Sequence, residues 1–117
     1  MIITYQGLES FKITQGEFSL SINPKKSSSA DVILISTSAF AGESKGFVIS
    51  GPGEYEVKGV GIKGFLSETN YDGKKINTVY QISFEGLNLA FLGALSNPAL
   101  SAEAFESLED IDILFVP

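Results

Sequence analysis

A period of two governs this chain. In Glu9–Thr14, Phe11 and Ile13 alternate with Ser10, Lys12 and Thr14; in Glu17–Ile22, Phe18, Leu20 and Ile22 alternate with Ser19 and Ser21. Such alternation gives a strand one buried face and one solvated face. Gln15-Gly16 separates the two runs, which predicts a hairpin. Met1–Tyr5 is expected to pair beside it. Ile76–Glu85 and Leu87–Leu92 predict a second hairpin about Glu85-Gly86. There Ile76, Thr78, Tyr80, Ile82 and Phe84 share one face, matched by Leu87, Leu89 and Phe91.

Two runs do not alternate. Asp31–Ser36 and Asp112–Val116 are almost unbroken in apolar residues, the pattern of strands covered on both faces. Phe47-Val48-Ile49 reads as a further strand, Glu54–Ser67 as two short ones, and Asp72-Gly73 as a tight hairpin turn. Pro24–Ser29 and Thr37–Gly46 read as loops. One helix is predicted: Asn97 as N-cap, Pro98 in the first turn, then Leu100, Ala104, Leu108 and Ile111 at spacings of four, four and three. Hairpin, helix and buried strand in that order place the helix on one face of a sheet. The fold class is α+β and β-rich, and 117 residues fit one domain, 1–117.

The composition removes chemistry. There is no His and no Cys, and the eight basic residues are all Lys. Without His or Cys, the Ser-His-Asp and Cys-His nucleophile pairs and the usual zinc ligands are missing. Without Arg there is no bidentate phosphate clamp. A net charge of −6 with scattered Lys gives no footprint for nucleic acid and disfavours anionic membranes. No apolar run reaches membrane-spanning length. The first residues lack the pattern of a secretory signal. The expected location is therefore the cytoplasm, which also suits a chain without Cys.

Several motifs can be weighed directly. Gly59-Val60-Gly61-Ile62-Lys63-Gly64 matches a dinucleotide fingerprint in letters. That chemistry needs a helix opening at the glycines, whereas the residues that follow have no helical period. The glycines are expected to admit a neighbouring strand. Glu54-x-Glu56 puts two carboxylates on one strand face, where a solvated face explains them. Asp31 opens an apolar run and is expected to cap the amides of the following loop. Ser36-Thr37-Ser38 follows a core strand, a common place for active-site residues. A serine nucleophile needs a base, however, and no Ser-x-x-Lys spacing exists. Phe40, Phe47, Phe65 and Tyr71 are expected at the core edge or in an interface patch.

The ordered segments resemble the metallo-β-lactamase superfamily, in particular its lactonase-like branch of small metal-dependent hydrolases. Tyr5–Ile13 is similar to the first hairpin of that branch. Phe18–Pro24 resembles its second strand, with Asn23 where the family has the Asp of Asp-Pro. Ala30–Ser36 resembles the strand leading into the metal loop. Gly51–Val57 is similar to the segment before the next hairpin. Leu89–Gly93 resembles the strand ending in Gly-Asp, and Asp110–Pro117 the helix-strand after it.

The resemblance implies half of a four-layer αββα sandwich. The family's His-x-His-x-Asp-His loop falls on Thr37, Ala39, Ala41 and Gly42. Its bridging Asp falls on Ala94, and an intervening His near Thr69 or Asn70. None of these is an ordinary metal ligand, so the expectation is no metal, no cofactor and no catalytic residue. The implied function is a degenerate, non-catalytic relative acting in assembly or binding. Two alternatives stand beside it: a metal-dependent hydrolase completed by a partner chain or a missing C-terminal half, and a small-molecule binding module. A half-sandwich leaves an apolar sheet face bare. The expected partner is therefore a second copy, giving a homodimer, or a second chain carrying the other half.

Overall fold

The computed structural model describes residues 1–25, 29–42, 46–96 and 100–117. Ten strands form two five-stranded sheets. The first sheet runs β1 (Ile2–Tyr5), β2 (Phe11–Gln15), β3 (Phe18–Ile22), β4 (Val32–Leu34) and β5 (Phe47–Ile49), in that order across the sheet. Pairings are antiparallel from β1 to β3 and parallel from β3 to β5. The second sheet contains β6 (Gly53–Val57), β7 (Val60–Glu68), β8 (Ile76–Phe84), β9 (Leu87–Phe91) and β10 (Ile113–Phe115), again in sequential order. Only the β9–β10 pairing is parallel. The helix α1 (Ala102–Ser107) lies on the crossover between β9 and β10, as a parallel connection requires.

The alternating residues meet between the sheets. Ile13, Leu20, Ile22, Val32, Leu34 and Ile49 from the first sheet pack with Ile62, Tyr80, Ile82, Leu89 and Phe91 from the second. Phe18 meets Phe84 edge to face, with ring centroids 5.4 Å apart. Truncating one such aliphatic side chain to Ala costs about 2–5 kcal/mol. Tyr80 is fully buried and pins the layers with a polar contact. Its hydroxyl donates to the Ile35 carbonyl at 2.8 Å, with the Ile49 carbonyl at 3.2 Å. The unbroken run of β4 is explained on both sides. Val32 and Leu34 face the central core, and Ile33 packs outward with Ala30, Ile35 and Phe40.

Both β layers thus lie within the chain, and they cover each other. The bare sheet face expected of a half-sandwich is filled from inside. Asp112–Val116 also differs from expectation. β10 pairs on one side only, as the edge of its sheet, and Leu114 is exposed. Its apolar letters look like those of β4, but Ile113 and Phe115 pack on the core whereas Leu114 points to solvent. The helix is shorter than its period predicts. Ser101 is the N-cap, accepting from the Ala104 amide, and Leu108 is the C-cap. Asn97 and Pro98 lie outside the described residues. Asp72-Gly73 sits within a longer connection, in a 3₁₀ turn at Tyr71–Gly73. No described helix is long and apolar enough to cross a membrane.

The other motif readings resolve locally. Gly59 turns the β6–β7 hairpin at φ +80°, and Gly61 and Gly64 lie inside β7 with no helix following. A Cβ on Gly64 would lie 3.0 Å from the Gly51 carbonyl oxygen and 3.2 Å from Pro52 Cα. This glycine admits a passing backbone, as expected. Glu54 and Glu56 are exposed, with Lys63 Nζ 4.0 Å from Glu54 Oε1. Asp31 does not cap its following loop. Its carboxylate accepts from the Ser19 amide at 2.9 Å and from Lys58 Nζ at 2.7 Å.

Candidate functional site

Three connections converge beyond the ends of β4, β7 and β9. Their meeting point is Ser36, the first residue of the Ser36-Thr37-Ser38 motif. Its amide donates to Asn23 Oδ1 at 2.9 Å, and its Oγ accepts from Asn23 Nδ2 at 2.9 Å. Its carbonyl accepts from the Thr78 amide at 2.7 Å. Asn23 can serve because it sits at φ +46°, a left-handed conformation that Asn tolerates better than most residues. Ser36 is therefore a fastener between β3, β4 and β8 rather than an available nucleophile.

Asn77 fastens the other side. It is fully buried, on the opposite face of β8 from Tyr80. Its Nδ2 donates to Ser67 Oγ and to the Leu92 carbonyl, both at 2.9 Å, and its Oδ1 accepts from the Ala94 amide at 3.1 Å. Both amide hydrogens and the oxygen of this side chain have partners, so its burial is compensated. Gly93 passes between the two fasteners at φ +65°. A Cβ there would lie 2.6 Å from Ser36 Cβ and 2.7 Å from Asn77 Oδ1.

The outer loops are joined as well. Phe40, in the 3₁₀ turn at Ser38–Phe40, stacks on Tyr71 with centroids 4.9 Å apart. The Asn70 amide donates to Ser96 Oγ at 2.9 Å, and Ser96 Oγ donates to Asn70 Oδ1 at 2.8 Å. Thr69 Oγ1 accepts from the Tyr71 amide at 3.0 Å. Of the positions singled out by resemblance, Thr37 follows Ser36 in the chain, Ala94 follows Gly93, and Asn70 is tied to Ser96. Thr37, Thr69 and Ala94 are buried, whereas Asn70, Ala41 and Gly42 are exposed.

The donor set at this junction does not suit a transition metal. Zinc is held by imidazole, thiolate or carboxylate, and the six positions carry hydroxyl, amide, methyl or hydrogen. Among the described residues, no three His, Cys, Asp or Glu side chains lie close enough to share an ion. The neighbouring loops are held by hydrogen bonds among Asn23, Ser36, Asn77 and Ala94. Glu9 borders the junction through its backbone, whose carbonyl accepts from Asn23 Nδ2 at 3.2 Å. Partial burial pushes its carboxyl above the ordinary value.

A cavity of about 320 Å³ opens on the flank of the junction. Its lining includes Thr37, Ser38, Ser50, Lys74, Lys75 and Ile76. The sequence alone did not single out these two lysines or Asn77. Asn77 acts through partners 10 to 17 residues away, and the lysines through the cavity they share with the 36–38 segment.

Two mixed sheets packed face to face, a helix outside one of them, and a loop junction at one edge define a metallo-β-lactamase-type β-sandwich. The chain belongs to the metallo-β-lactamase superfamily: the β-lactamase superfamily domain matches residues 2–117. Its fold is similar to that of a Thermotoga maritima protein assigned as a Zn-dependent hydrolase of this superfamily, with a TM-score of 0.73 and 30% identity. That match covers 96% of this chain and 58% of the Thermotoga protein, so the chain spans under two-thirds of that relative. A Parabacteroides distasonis protein assigned as a metal-dependent hydrolase matches at a TM-score of 0.56 and 14% identity, over 96% of this chain and 91% of its own. The metallo-β-lactamase fold protein YhfI of Bacillus subtilis matches at 0.59 and 9%, over 90% of this chain and 61% of its own. No curated protein sequence matches the chain.

Proposed function

We propose that this chain is a non-catalytic member of its superfamily that acts in binding or assembly. The observation that carries this reading is the junction itself. Its loops converge at one edge of the sandwich, and the family resemblance puts Thr37, Ala39, Ala41, Gly42, Ala94 and Thr69 or Asn70, none of them an ordinary ligand, at the metal-binding positions. Ser36, Asn23 and Asn77 hold the loops in place by hydrogen bonds, a task that a metal centre would otherwise share. The assembly arm is a homodimer, favoured by the exposed apolar side chains of Phe105, Leu114 and Val116 around α1 and β10.

The test is elemental analysis of protein purified without chelator, with light scattering and thermal melting of the same sample. The expected result is no stoichiometric transition metal and no gain in melting temperature with equimolar zinc. A ligand that bound only the native state would raise it. A zinc ion retained through desalting overturns the non-catalytic reading, and a monodisperse 12.5 kDa species overturns the homodimer. A second reading is a metal-dependent hydrolase whose ligands come from a partner chain or from further sequence. The 30% identity to a protein assigned as a Zn-dependent hydrolase, over only 58% of that protein, supports it.

A further inference from the structure

The cavity beside the junction carries a charge arrangement unlike the rest of the molecule. The chain has a net charge of −6, yet no acidic residue lines this cavity among the described residues, and two lysines do. Lys74 and Lys75 are consecutive and exposed, and neither forms a salt bridge among the described residues. By contrast, Lys58 and Lys63 are committed to Asp31 and Glu54. The hydroxyl residues Thr37, Ser38 and Ser50 line the same cavity. Thr37 is only 4% exposed, and its Oγ1 has no hydrogen-bond partner. A buried hydroxyl without a partner is an unfavourable arrangement, which turning toward a polar ligand group would relieve.

We infer that this cavity binds a small organic anion, a carboxylate or phosphate ester. Lys74 and Lys75 take the charged head, and the hydroxyl residues take its remaining oxygens. Its carbon skeleton lies against Pro52 and Ile76, which complete the walls. The cavity volume of about 320 Å³ leaves room for an organic ligand beyond the charged head group. The negative net charge does not forbid binding. At physiological salt, screening acts over about 8 Å, so the adjacent lysines outweigh distant carboxylates.

The inference deepens the binding arm of the proposed function and rests on it. Phenyl phosphate, benzoate, inorganic phosphate and benzyl alcohol are titrated separately into the ¹⁵N-labelled full chain, followed by amide shifts. Titrations are run in EDTA and repeated with equimolar zinc. The expected result is a saturable shift of amides in 36–38, 50–51 and 74–78 with at least one of the two organic anions, in EDTA. In Lys74→Gln/Lys75→Gln, two exposed changes that leave the core intact, binding is expected to weaken by about tenfold or more, as loss of charge-assisted hydrogen bonds implies. Phenyl phosphate and benzoate distinguish the two head groups. Equal binding of benzyl alcohol, equal binding of inorganic phosphate, unaltered binding by the double variant, or no shift at these amides overturns the inference. Binding that appears only with zinc overturns the metal-free reading of the protein and leaves the anion site standing.

Discussion

Gly93→Ala tests whether the loop junction is as closely built as its geometry implies. The perturbation is one methyl group with two costs. An L-residue at φ +65° pays about 1 kcal/mol for the left-handed conformation. The methyl would also lie 2.6 Å from Ser36 Cβ, whereas carbon atoms sit comfortably at about 3.5–4.0 Å. Something must move by roughly 1 Å. The groups available to move carry the Thr78–Ser36 hydrogen bond at 2.7 Å and the Ala94–Asn77 hydrogen bond at 3.1 Å. Losing or stretching both adds about 2–4 kcal/mol, because the freed groups stay buried.

The expected loss is therefore about 3–5 kcal/mol, against a total of about 5–15 kcal/mol for a typical domain. Urea unfolding followed by circular dichroism measures it. With an m-value of about 1–3 kcal/mol/M, the midpoint should fall by about 2 M. Gly86→Ala is the control. Gly86 has φ +84° and nothing within 4 Å of its added Cβ, so it pays the conformational cost alone, about 1 kcal/mol. If the two variants lose the same stability, the close contact at Gly93 contributes nothing and the reasoning fails.

Two further predictions concern the sheets. Tyr80→Phe removes the donor to the Ile35 carbonyl and should cost about 2 kcal/mol, read by calorimetry as a fall of roughly 6–10 °C; an unchanged melting temperature would refute the interlayer bond. The Lys58 ammonium, together with the Ser19 amide, holds the Asp31 carboxyl below its ordinary value. Its contribution is present above the unfolded carboxylate value of about 3.9 and lost as pH falls through the lower folded value. Asp31→Asn should therefore flatten the acid limb of stability below about pH 4, and identical limbs in parent and variant would exclude this role.

The strands whose faces differ in polarity could be read directly. Phe11 and Ile13 against Lys12 and Thr14, or Tyr80 and Ile82 against Gln81 and Ser83, announce their inner faces because one side meets water. Asn77 and Val79 share the other face of β8, and alternation treats that face as solvated. Both are fully buried, and the Leu92–Ala94 segment covers the outer side at Asn77. Period two reports the contrast between faces and is blind where both are covered. β10 fails in the opposite sense, since its apolar run hides an open edge. At the junction, family resemblance found Thr37 and Ala94, which follow Ser36 and Gly93 in the chain. The hydrogen bonds of Asn23 and Asn77 join segments far apart in the chain, and no local pattern encodes them. Lys74 and Lys75 carried no local signal because their meaning depends on the cavity beside them.

The sequential order of strands in both sheets bears on how the protein is made. Everything in the first sheet is encoded before Ser50 and everything in the second after Pro52. Among the described strands, the chain passes from one layer to the other once. Each layer can therefore grow by adding the newest strand to its predecessor as synthesis proceeds, with short loops to close at most steps. The first sheet emerges with its apolar inner face still unprotected, and protection arrives with β8, which carries Tyr80 to the carbonyls of Ile35 and Ile49. Until that strand is available, the nascent chain presents a sticky surface. In the interval between residues 49 and 80 the apolar inner face of the first sheet is most exposed to aggregation.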